Sequence, residues 1–456
     1  MTGSQEAQPT HQVAVIGAGA SGTLTAARLL QRARERRLPL DVRLIDPADA
    51  GRGVAYGTED PRHLLNVPAG RMSAYAEDPG HFLRWATAQQ ATDPGFGDFL
   101  PRRLYRRYLA DVLERAAEPG GGVRLHHLRE RVLGLTAEPR AVALRLPGEA
   151  AVRADAAVLA LGNLPPTLGW APPELRDSPY FVADPWAPGA LAAIPEDADV
   201  LLVGTGLTMV DAALTLDRPG RVMHAVSRHG LLPQPHATGE LPVLAPPLLD
   251  DSGDPRATAL RQIGTALRLH GDWRPGVDSL RPVTAALWQR LDLAERARFL
   301  ARDLRHWEVH RHRIPPRTVA ALDRARAADR LRTGRGEVAR VVPTAAGLKV
   351  ELVDGTALEV GAVVNCTGSQ ADFRRPDDPL VADLIASGTA RPGPCGLGLD
   401  TVDAGRLVPG PGGPAAPLWT LGPLRRGNLL ETTAVPEIRD QADTVAVAVL
   451  DALVSR

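Results

Sequence analysis

The sequence predicts an α/β protein with parallel β-sheets, built from two similar units. Three observations support this. The order of a glycine-rich loop, a helix, a series of short strands and an apolar strand ending in glycine occurs twice along the chain. Short apolar strands that alternate with helices are typical of a parallel sheet covered on both faces. The 456 residues, 44% of them hydrophobic, are enough for more than one domain.

The first unit begins with an apolar stretch at residues 13–16, followed by a glycine loop, residues 17–22, and a predicted helix at residues 23–36. A second strand is predicted at residues 41–45, and Asp46 follows it. In a Rossmann-like fold, Gly17 permits the tight turn, Gly19 lets the backbone approach a pyrophosphate, and Gly22 lets the helix pack on the strand. Asp46 would accept hydrogen bonds from ribose hydroxyls. With all these parts in place, the pattern predicts a dinucleotide site.

Ser21 has two interpretations that the sequence leaves open: a phosphate donor or a small packing residue.

The second unit repeats the pattern with a strand at residues 200–203, Gly204 and Gly206, and a helix at residues 210–216. Met209 stands where the third glycine would be. The next predicted strand, residues 221–226, ends in Ser227 and Arg228 instead of an acid. Arginine can pair with a 2′-phosphate, which favours NADPH over NADH. The alternative is a solvated surface arginine, with NADH possible as the cofactor.

Strand-like stretches follow in each unit, and we expect them to form β-meanders added to the parallel sheets. They lie at residues 123–127, 131–136 and 141–146, and at 337–342, 348–353 and 357–359. Each unit closes with an apolar strand and a glycine turn, at residues 157–163 and 362–368. Proline-rich stretches at 165–195, 233–255 and 392–417 are predicted to be linkers or surface loops.

Composition excludes several functions. Lys+Arg and Asp+Glu balance at 53 each, which argues against a nucleic-acid partner. The two cysteines are not in a Cys-x-x-Cys motif, which argues against a dithiol oxidoreductase. We find no secretory signal and no apolar run long enough for a membrane span, so we expect a cytoplasmic protein.

Segments along nearly the whole chain resemble a bacterial FAD/NAD(P)-binding flavoprotein family, which includes flavin-dependent urate hydroxylase and aspartate N-monooxygenase. The chain is also more distantly similar to the ornithine and lysine N-hydroxylases. The matching segments are residues 51–56, 64–69, 71–72, 82–85, 101–108, 204–211, 227–233, 307–313, 365–368, 422–427 and 431–434.

The resemblance implies two dinucleotide-binding (Rossmann-like) domains, with the NAD(P)-binding domain inserted in the FAD-binding domain. We expect residues 1–170 and 369–456 to form the FAD-binding domain. Residues 171–368 would form the NAD(P)-binding domain, with a helical insertion at about 256–312.

The resemblance also implies cofactor-binding residues beyond the glycine loops. These are Val67, Gly162, Thr208, Thr367, Gly368, Gly422 and Pro423. Asn66 is the expected catalytic residue, with a donor and an acceptor suited to flavin N5 or a substrate; the alternative is an ordinary turn asparagine before a proline. The predicted last helix, residues 437–454, would stabilise negative charge on a reduced flavin with its N-terminus, or would be a plain amphipathic helix.

A cluster of arginines and a cluster of histidines each have two interpretations. A helix is predicted at residues 102–116, and its first two turns carry Arg102, Arg103, Arg106 and Arg107. These arginines form the charged, exposed face of the helix, or one of them reaches a pyrophosphate or an anionic substrate. His306, His310 and His312 lack a convincing ligand set, so we predict no metal and favour a core or pocket role for His310 or Arg311.

The function that the resemblance implies is an FAD-dependent monooxygenase. It would consume NAD(P)H and molecular oxygen and hydroxylate a small polar metabolite at nitrogen or carbon through a C4a-peroxyflavin. The alternatives are a flavin reductase or NAD(P)H oxidase without oxygen insertion, and a non-catalytic nucleotide-binding sensor.

Overall fold

The structure is a computed structural model that describes residues 9–89, 93–149, 151–249 and 253–455. The strands of this part of the chain are β1 (His11–Ile16), β2 (Leu40–Ile45), β3 (Val123–Leu128), β4 (Gly134–Glu138), β5 (Ala141–Arg145), β6 (Ala151–Ala154), β7 (Ala156–Leu159), β8 (Phe181–Val182), β9 (Val200–Val203), β10 (Met223–Ser227), β11 (Leu331–Arg335), β12 (Val338–Thr344), β13 (Gly347–Leu352), β14 (Ala357–Val360), β15 (Ala362–Asn365) and β16 (Leu418–Thr420).

The α-helices of the same residues are α1 (Ala20–Glu35), α2 (His81–Gln89), α3 (Arg102–Ala116), α4 (Pro173–Arg176), α5 (Leu207–Leu216), α6 (Pro255–His270), α7 (Arg274–Leu280), α8 (Thr284–Arg290), α9 (Leu293–Arg302), α10 (Leu304–Arg311), α11 (Pro316–Ala327), α12 (Pro379–Ala386), α13 (Arg426–Leu429) and α14 (Val435–Val454). None of these helices is both long and apolar enough to cross a membrane.

The chain divides into two compact units. Unit 1 comprises Met1–Glu59, Val67–Asn163 and Ala371–Arg456, and unit 2 comprises Asp60–Asn66 and Leu164–Gln370. Unit 2 is therefore inserted in unit 1. The short segment Asp60–Asn66, which the sequence analysis placed in the first domain, packs with unit 2.

Each unit contains a five-stranded parallel sheet. The strand order is β16-β7-β1-β2-β3 in unit 1 and β11-β10-β9-β15-β8 in unit 2. In unit 1 the order reverses between β1 and β7, and in unit 2 it reverses between β9 and β15. Ligands of open parallel sheets bind beyond the carboxyl ends of the strands at such reversals. Both predicted glycine loops follow a strand at this edge.

The central strands are apolar because both faces of each sheet are covered. All four residues of β7, β9 and β15 are buried. In unit 1, α1 contributes eleven buried residues to the core. In unit 2, α5 packs beneath the sheet with Met209, Val210 and Ala213 in the core.

Each unit also carries a three-stranded antiparallel meander, β4-β5-β6 in unit 1 and β12-β13-β14 in unit 2. The prediction for the first meander was wrong in one strand. The stretch at residues 123–127 pairs in parallel with β2 and forms the edge of the main sheet. The meander instead gains β6, which pairs with β5.

Two strands of unit 2 lie where the sequence predicted none. Strand β8 lies inside the stretch predicted as linker and pairs with β15 at the sheet edge. Strand β11 pairs with β10. Strand β8 is too short and strand β11 too polar to show an apolar strand pattern in the sequence. Both are strands because a neighbouring strand offers hydrogen-bonding groups.

Candidate functional site: two glycine loops

The first glycine loop is a tight turn held by the sheet. The amide of Gly17 donates to the carbonyl oxygen of Ile45 over 2.9 Å, and the amide of Ala160 donates to that of Ile16 over 2.8 Å. Gly17 has φ +102°, and a Cβ there would lie 2.5 Å from the carbonyl oxygen of Ala160. Both the backbone conformation and the space therefore require glycine at position 17.

The other two glycines of this loop are enclosed by backbone. A Cβ at Gly22 would lie 1.7 Å from the carbonyl oxygen of Gly17, so α1 approaches the turn as closely as the predicted packing role requires. A Cβ at Gly19 would lie 3.3 Å from the Cα of Gly53. Gly19 is the N-cap of α1, without a side-chain cap and without an acidic residue in the first turn. Uncapped amides at a helix N-terminus suit a phosphate.

Asp46 has a role in the loop itself. Its carboxylate accepts hydrogen bonds from the amides of Ala18 and Ala48, each over 2.7 Å. Each carboxylate oxygen can accept a further hydrogen bond, which suits a ribose hydroxyl. The sequence predicted an acidic residue at position 46, but it did not predict that this carboxylate holds the backbone of the glycine loop.

The loop at Gly422 lies against the same helix. Gly422 has φ +69°, and a Cβ there would lie 2.9 Å from the hydroxyl oxygen of Ser21. Ser21 is buried, which favours the packing interpretation of this residue. Pro423, the next residue, is half-buried.

Gly422 is braced by two residues that sequence reasoning missed. Its amide donates to the side-chain oxygen of Gln441 on α14 over 3.1 Å, and the Thr432 hydroxyl donates to its carbonyl oxygen over 3.0 Å. The Gln441 amide group donates to the Thr432 hydroxyl over 2.7 Å, which closes the network. In the sequence, only the position of Thr432 shortly before the predicted last helix pointed to this network, because hydroxyl groups near a helix start often bond to backbone.

The second glycine loop repeats the turn of the first. The amide of Gly204 donates to the carbonyl oxygen of Val226 over 2.7 Å, and the amide of Cys366 donates to that of Val203 over 2.7 Å. Gly204 has φ +109°, and a Cβ there would lie 2.3 Å from the carbonyl oxygen of Cys366. At Gly206, by contrast, a Cβ would meet no described atom within 4 Å.

The predicted residues Ser227 and Thr208 lie close to this turn. The Thr205 hydroxyl donates to the carbonyl oxygen of Leu231 over 2.6 Å, so the Ser227 hydroxyl, 2.7 Å away, donates to Thr205. The Ser227 hydroxyl also accepts from the amide of Gly230 over 3.0 Å. Ser227 therefore orders the turn that carries Arg228, which is exposed. Thr208 lies in the first turn of α5 and is half-buried.

The closing glycines of the two units have open surroundings. Gly162 has φ +67° and Gly368 has φ +89°, and a Cβ at either would meet no described atom within 4 Å. Beside Gly368, the Thr367 hydroxyl donates to the side-chain oxygen of buried Asn365 over 2.7 Å. Trp170 donates to the same oxygen over 3.2 Å. Asn365 thus holds the turn. The sequence offered one indication of this role, because Asn365 is a polar residue at the end of an apolar strand.

Asn66 is half-buried at the end of the segment that packs with unit 2, and Val67 begins the next part of unit 1. The carbonyl oxygen of Asn66 accepts from Nε2 of His236 over 2.9 Å. Burial, together with the positive charge of Arg313, lowers the pKa of His236 to about 4. His236 is therefore neutral near pH 7, with its proton on the nitrogen that faces Asn66.

The segment before Asn66 is anchored on α5. Nε2 of buried His63 lies 3.0 Å from the carbonyl oxygen of Asp211 and 3.0 Å from the Thr215 hydroxyl. The Thr215 hydroxyl donates to Asp60 over 2.9 Å. Burial would raise the pKa of Asp60, but hydrogen bonds from Arg62 and Thr215 lower it to about 2.

One of the arginines predicted on an exposed face is not exposed. Arg102 is buried at the start of α3, on the side of the helix that also buries Tyr105. Arg106 pairs with Glu59 over 2.7 Å, Arg107 donates to Gln89 over 3.1 Å, and Arg103 is exposed.

The histidines of α10 have local partners. Nδ1 of His310 bonds to the carbonyl oxygen of His306 over 2.7 Å, and its ring packs edge-on against Trp273 with centroids 4.7 Å apart. Among the described residues, no three His, Cys, Asp or Glu side chains are grouped as a metal site would need.

Comparison with known proteins supports the fold. Residues 14–164, less than half of the chain, match the protein family described as FAD-NAD(P)-binding. No curated protein matches the chain in sequence.

Solved structures similar to the whole chain include two from Pseudomonas. The ornithine hydroxylase of Pseudomonas aeruginosa has a TM-score of 0.63 and 16% identity, over 98% of this chain and 100% of that one. The L-lysine 6-monooxygenase of Pseudomonas syringae has a TM-score of 0.64 and 18% identity, over 98% and 100%. An ornithine N-hydroxylase from a Kutzneria species, described with reduced FAD, NADP⁺ and L-ornithine, has a TM-score of 0.61 and 15% identity, over 97% and 99%.

At these identities, the similarity shows the fold alone. The protein has the α/β fold of FAD/NAD(P)-binding oxidoreductases, with parallel sheets and two dinucleotide-binding-type units, and the predicted fold class is confirmed.

Proposed function

We propose that the protein is an FAD-dependent monooxygenase that consumes NAD(P)H, with FAD bound by unit 1 and NADPH by unit 2. The observation that carries this proposal is the pair of equivalent turns. In each unit a positive-φ glycine follows the central strand of the sheet, and a helix with an uncapped N-terminus begins next to it. Two such turns in one chain fit a donor and an acceptor dinucleotide.

The residues present in unit 1 fit FAD. The helix N-terminus at Gly19 offers amides to a pyrophosphate, and Asp46 holds the amide of Ala18 in place beside it. Gly53 and Gly422 keep the two neighbouring loops free of side chains where they meet this helix. When bound, FAD supplies hydride acceptance from the nicotinamide and the reaction with molecular oxygen.

The residues of unit 2 fit NADPH. Gly206 stands open at the N-terminus of α5, where a pyrophosphate can approach the backbone. Ser227 fixes the turn that presents Arg228, and a guanidinium there can pair with a 2′-phosphate in a bidentate manner.

The cysteines argue against disulfide reduction. Neither cysteine forms a disulfide, and burial raises the pKa of the Cys366 thiol far above its ordinary value. A thiol that stays protonated is a poor nucleophile. We retain Asn66 as the proposed catalytic residue, with His236 fixing its backbone.

The proposed substrate is a small polar metabolite that is hydroxylated at nitrogen or carbon. The names of the structural neighbours, which act on ornithine and lysine, support a nitrogen-containing substrate. The resemblance to urate hydroxylase and aspartate N-monooxygenase adds nitrogen-rich and amino-acid substrates to this class.

The test begins with a screen of polar metabolites for compounds that accelerate NADPH oxidation while suppressing peroxide release. The compound that does so is then turned over under ¹⁸O-labelled oxygen gas. One labelled oxygen atom in the product is the expected result. If NADPH oxidation and peroxide release stay equal with every compound, and no label enters any product, the protein is an NADPH oxidase and the monooxygenase proposal fails.

A further inference from the structure

A second arginine lies beside Arg228 on the neighbouring strand. Strands β10 and β11 are parallel, and their register places Ser227 opposite Arg335, the last residue of β11. Arg228 follows Ser227 directly, so both arginines stand at the carboxyl edge of the sheet. Ligands of parallel sheets bind beyond this edge.

Contacts hold the stem of Arg335 on the turn that carries Arg228. Nε of Arg335 donates to the carbonyl oxygen of Arg228 over 3.4 Å. A Cβ at Gly230 would lie 2.9 Å from Cγ of Arg335, so the side chain crosses this glycine closely. The amide of Gly336 donates to the carbonyl oxygen of Ser227 over 3.0 Å, which ties the end of β11 to the same turn.

Both guanidinium groups lack a counter-charge within the described part of the chain. Neither Arg228 nor Arg335 forms an ion pair there, and both are exposed. Their neighbours differ: Arg330 pairs with Asp217 over 2.7 Å, and Arg332 pairs with Asp329 over 2.5 Å. Two adjacent positive charges without a carboxylate repel each other, and a doubly charged anion between them would remove that repulsion.

We propose that Arg335 binds the 2′-phosphate of NADPH together with Arg228, and so determines the choice between NADPH and NADH. This inference rests on the proposed nucleotide site of unit 2. A phosphate monoester carries nearly two negative charges at pH 7 and three acceptor oxygens, which is enough for two guanidinium groups. The glycine at position 230 leaves the stem of Arg335 room to reach that phosphate.

The experiment measures binding of two probes to the purified full-length protein by isothermal titration calorimetry. The probe 2′,5′-ADP carries the 2′-phosphate, and 5′-AMP lacks it. Wild type is compared with Arg335→Ala, Arg335→Lys and the matched control Arg332→Ala, which removes an ion-paired arginine from the same strand. Thermal unfolding of each variant verifies that it is folded.

We expect Arg335→Ala to weaken 2′,5′-ADP binding about ten-fold or more, as loss of a charge-assisted hydrogen bond does. Binding of 5′-AMP should change by less than about two-fold, since this probe leaves position 335 without a partner. Arg335→Lys should restore part of the loss, because it returns the charge without the planar fork. Arg332→Ala should behave as wild type with both probes.

The outcomes separate this inference from the proposed function. If wild type binds 2′,5′-ADP and Arg335→Ala binds it equally well, the role of Arg335 is disproved while the nucleotide site stands. Equal weakening of both probes would show a structural effect and would also overturn the inference. If wild type binds neither probe, both the nucleotide site of unit 2 and the role of Arg335 fail.

Discussion

At the fifth residue after the turn glycine, the two units differ. In unit 1 this residue is Gly22, where a Cβ would lie 1.7 Å from the carbonyl oxygen of Gly17. In unit 2 it is Met209, which is fully buried in the core with Val210 and Ala213. The first helix therefore approaches its strand too closely for any side chain, whereas the second places a large one there.

The turn glycines, by contrast, are equivalent. Gly17 and Gly204 both have positive φ, and a Cβ on either would clash with the residue that directly follows the closing strand. The comparison teaches that the glycine pattern contains two kinds of residue. The first glycine is fixed by backbone geometry, and the third is fixed by helix packing, which a different core can change.

The largest expected effect comes from Gly22→Ala. A methyl group at this position overlaps the backbone of Gly17, so α1 must move away from β1. We expect destabilisation of about 3 kcal/mol or more, at the upper end for an overpacked core, with loss of bound FAD. Chemical unfolding and flavin absorbance measure both. The comparison variant Gly206→Ala, at the second glycine of the other loop, should stay folded and keep FAD, since its Cβ has open space; a loss of stability there would show that position 206 is as crowded as position 22.

Gly19→Val should act on cofactor binding more than on folding. The side chain lies at the N-terminus of α1 near Gly53, where a pyrophosphate would approach. We expect a folded protein without flavin. Gly206→Val should retain FAD but bind 2′,5′-ADP weakly. A Gly19→Val protein with stoichiometric FAD would contradict the assignment of FAD to unit 1.

His236 gives unit 2 a pH dependence. The pKa of this histidine is about 4 in the folded protein and 6.5 ordinarily, so the unfolded chain binds the extra proton first as the pH falls. Stability should therefore decline from about pH 6.5 to about pH 4, by up to about 3 kcal/mol.

The control for His236 is His236→Gln, which can still donate to Asn66 but does not titrate. Urea unfolding at several pH values should show a smaller decline for this variant across that pH range. Parallel curves for the two proteins would exclude His236 as the cause.

The smallest expected effect is that of Arg228→Ala on catalysis. One charge-assisted contact with a 2′-phosphate corresponds to roughly a ten-fold or greater rise in the KM for NADPH, while the KM for NADH stays nearly unchanged. Steady-state kinetics with both nucleotides measure the difference. If the KM for NADH rises as much as the KM for NADPH, or if neither KM changes, Arg228 is a surface residue that does not contact the 2′-phosphate. The second loop would then have no feature that selects NADPH.

The sequence alone determined the two glycine turns, the helices that follow them and the apolar central strands. These features are local, since a positive-φ glycine after an apolar run and a periodic helix can be read within about 20 residues. It also placed Asp46, Ser227 and Arg228 at the end of the second predicted strand of each unit, where their proposed contacts with a nucleotide stay predictions.

The tertiary structure alone decided the partners of these residues. That β3 joins the main sheet, and that β8 lies at an edge within a proline-rich stretch, depends on which strands lie nearby with free hydrogen-bonding groups. The burial of Arg102 and the packing of Asp60–Asn66 with unit 2 also depend on distant parts of the chain.

The pairing of Arg335 with the Arg228 turn was equally invisible in the sequence, because 107 residues separate the two arginines. Parallel strands bring such residues together through a long crossover, and no local pattern records which strand will be the neighbour. The sequence therefore specified the loops, and only the folded sheet specified which side chains meet beside them.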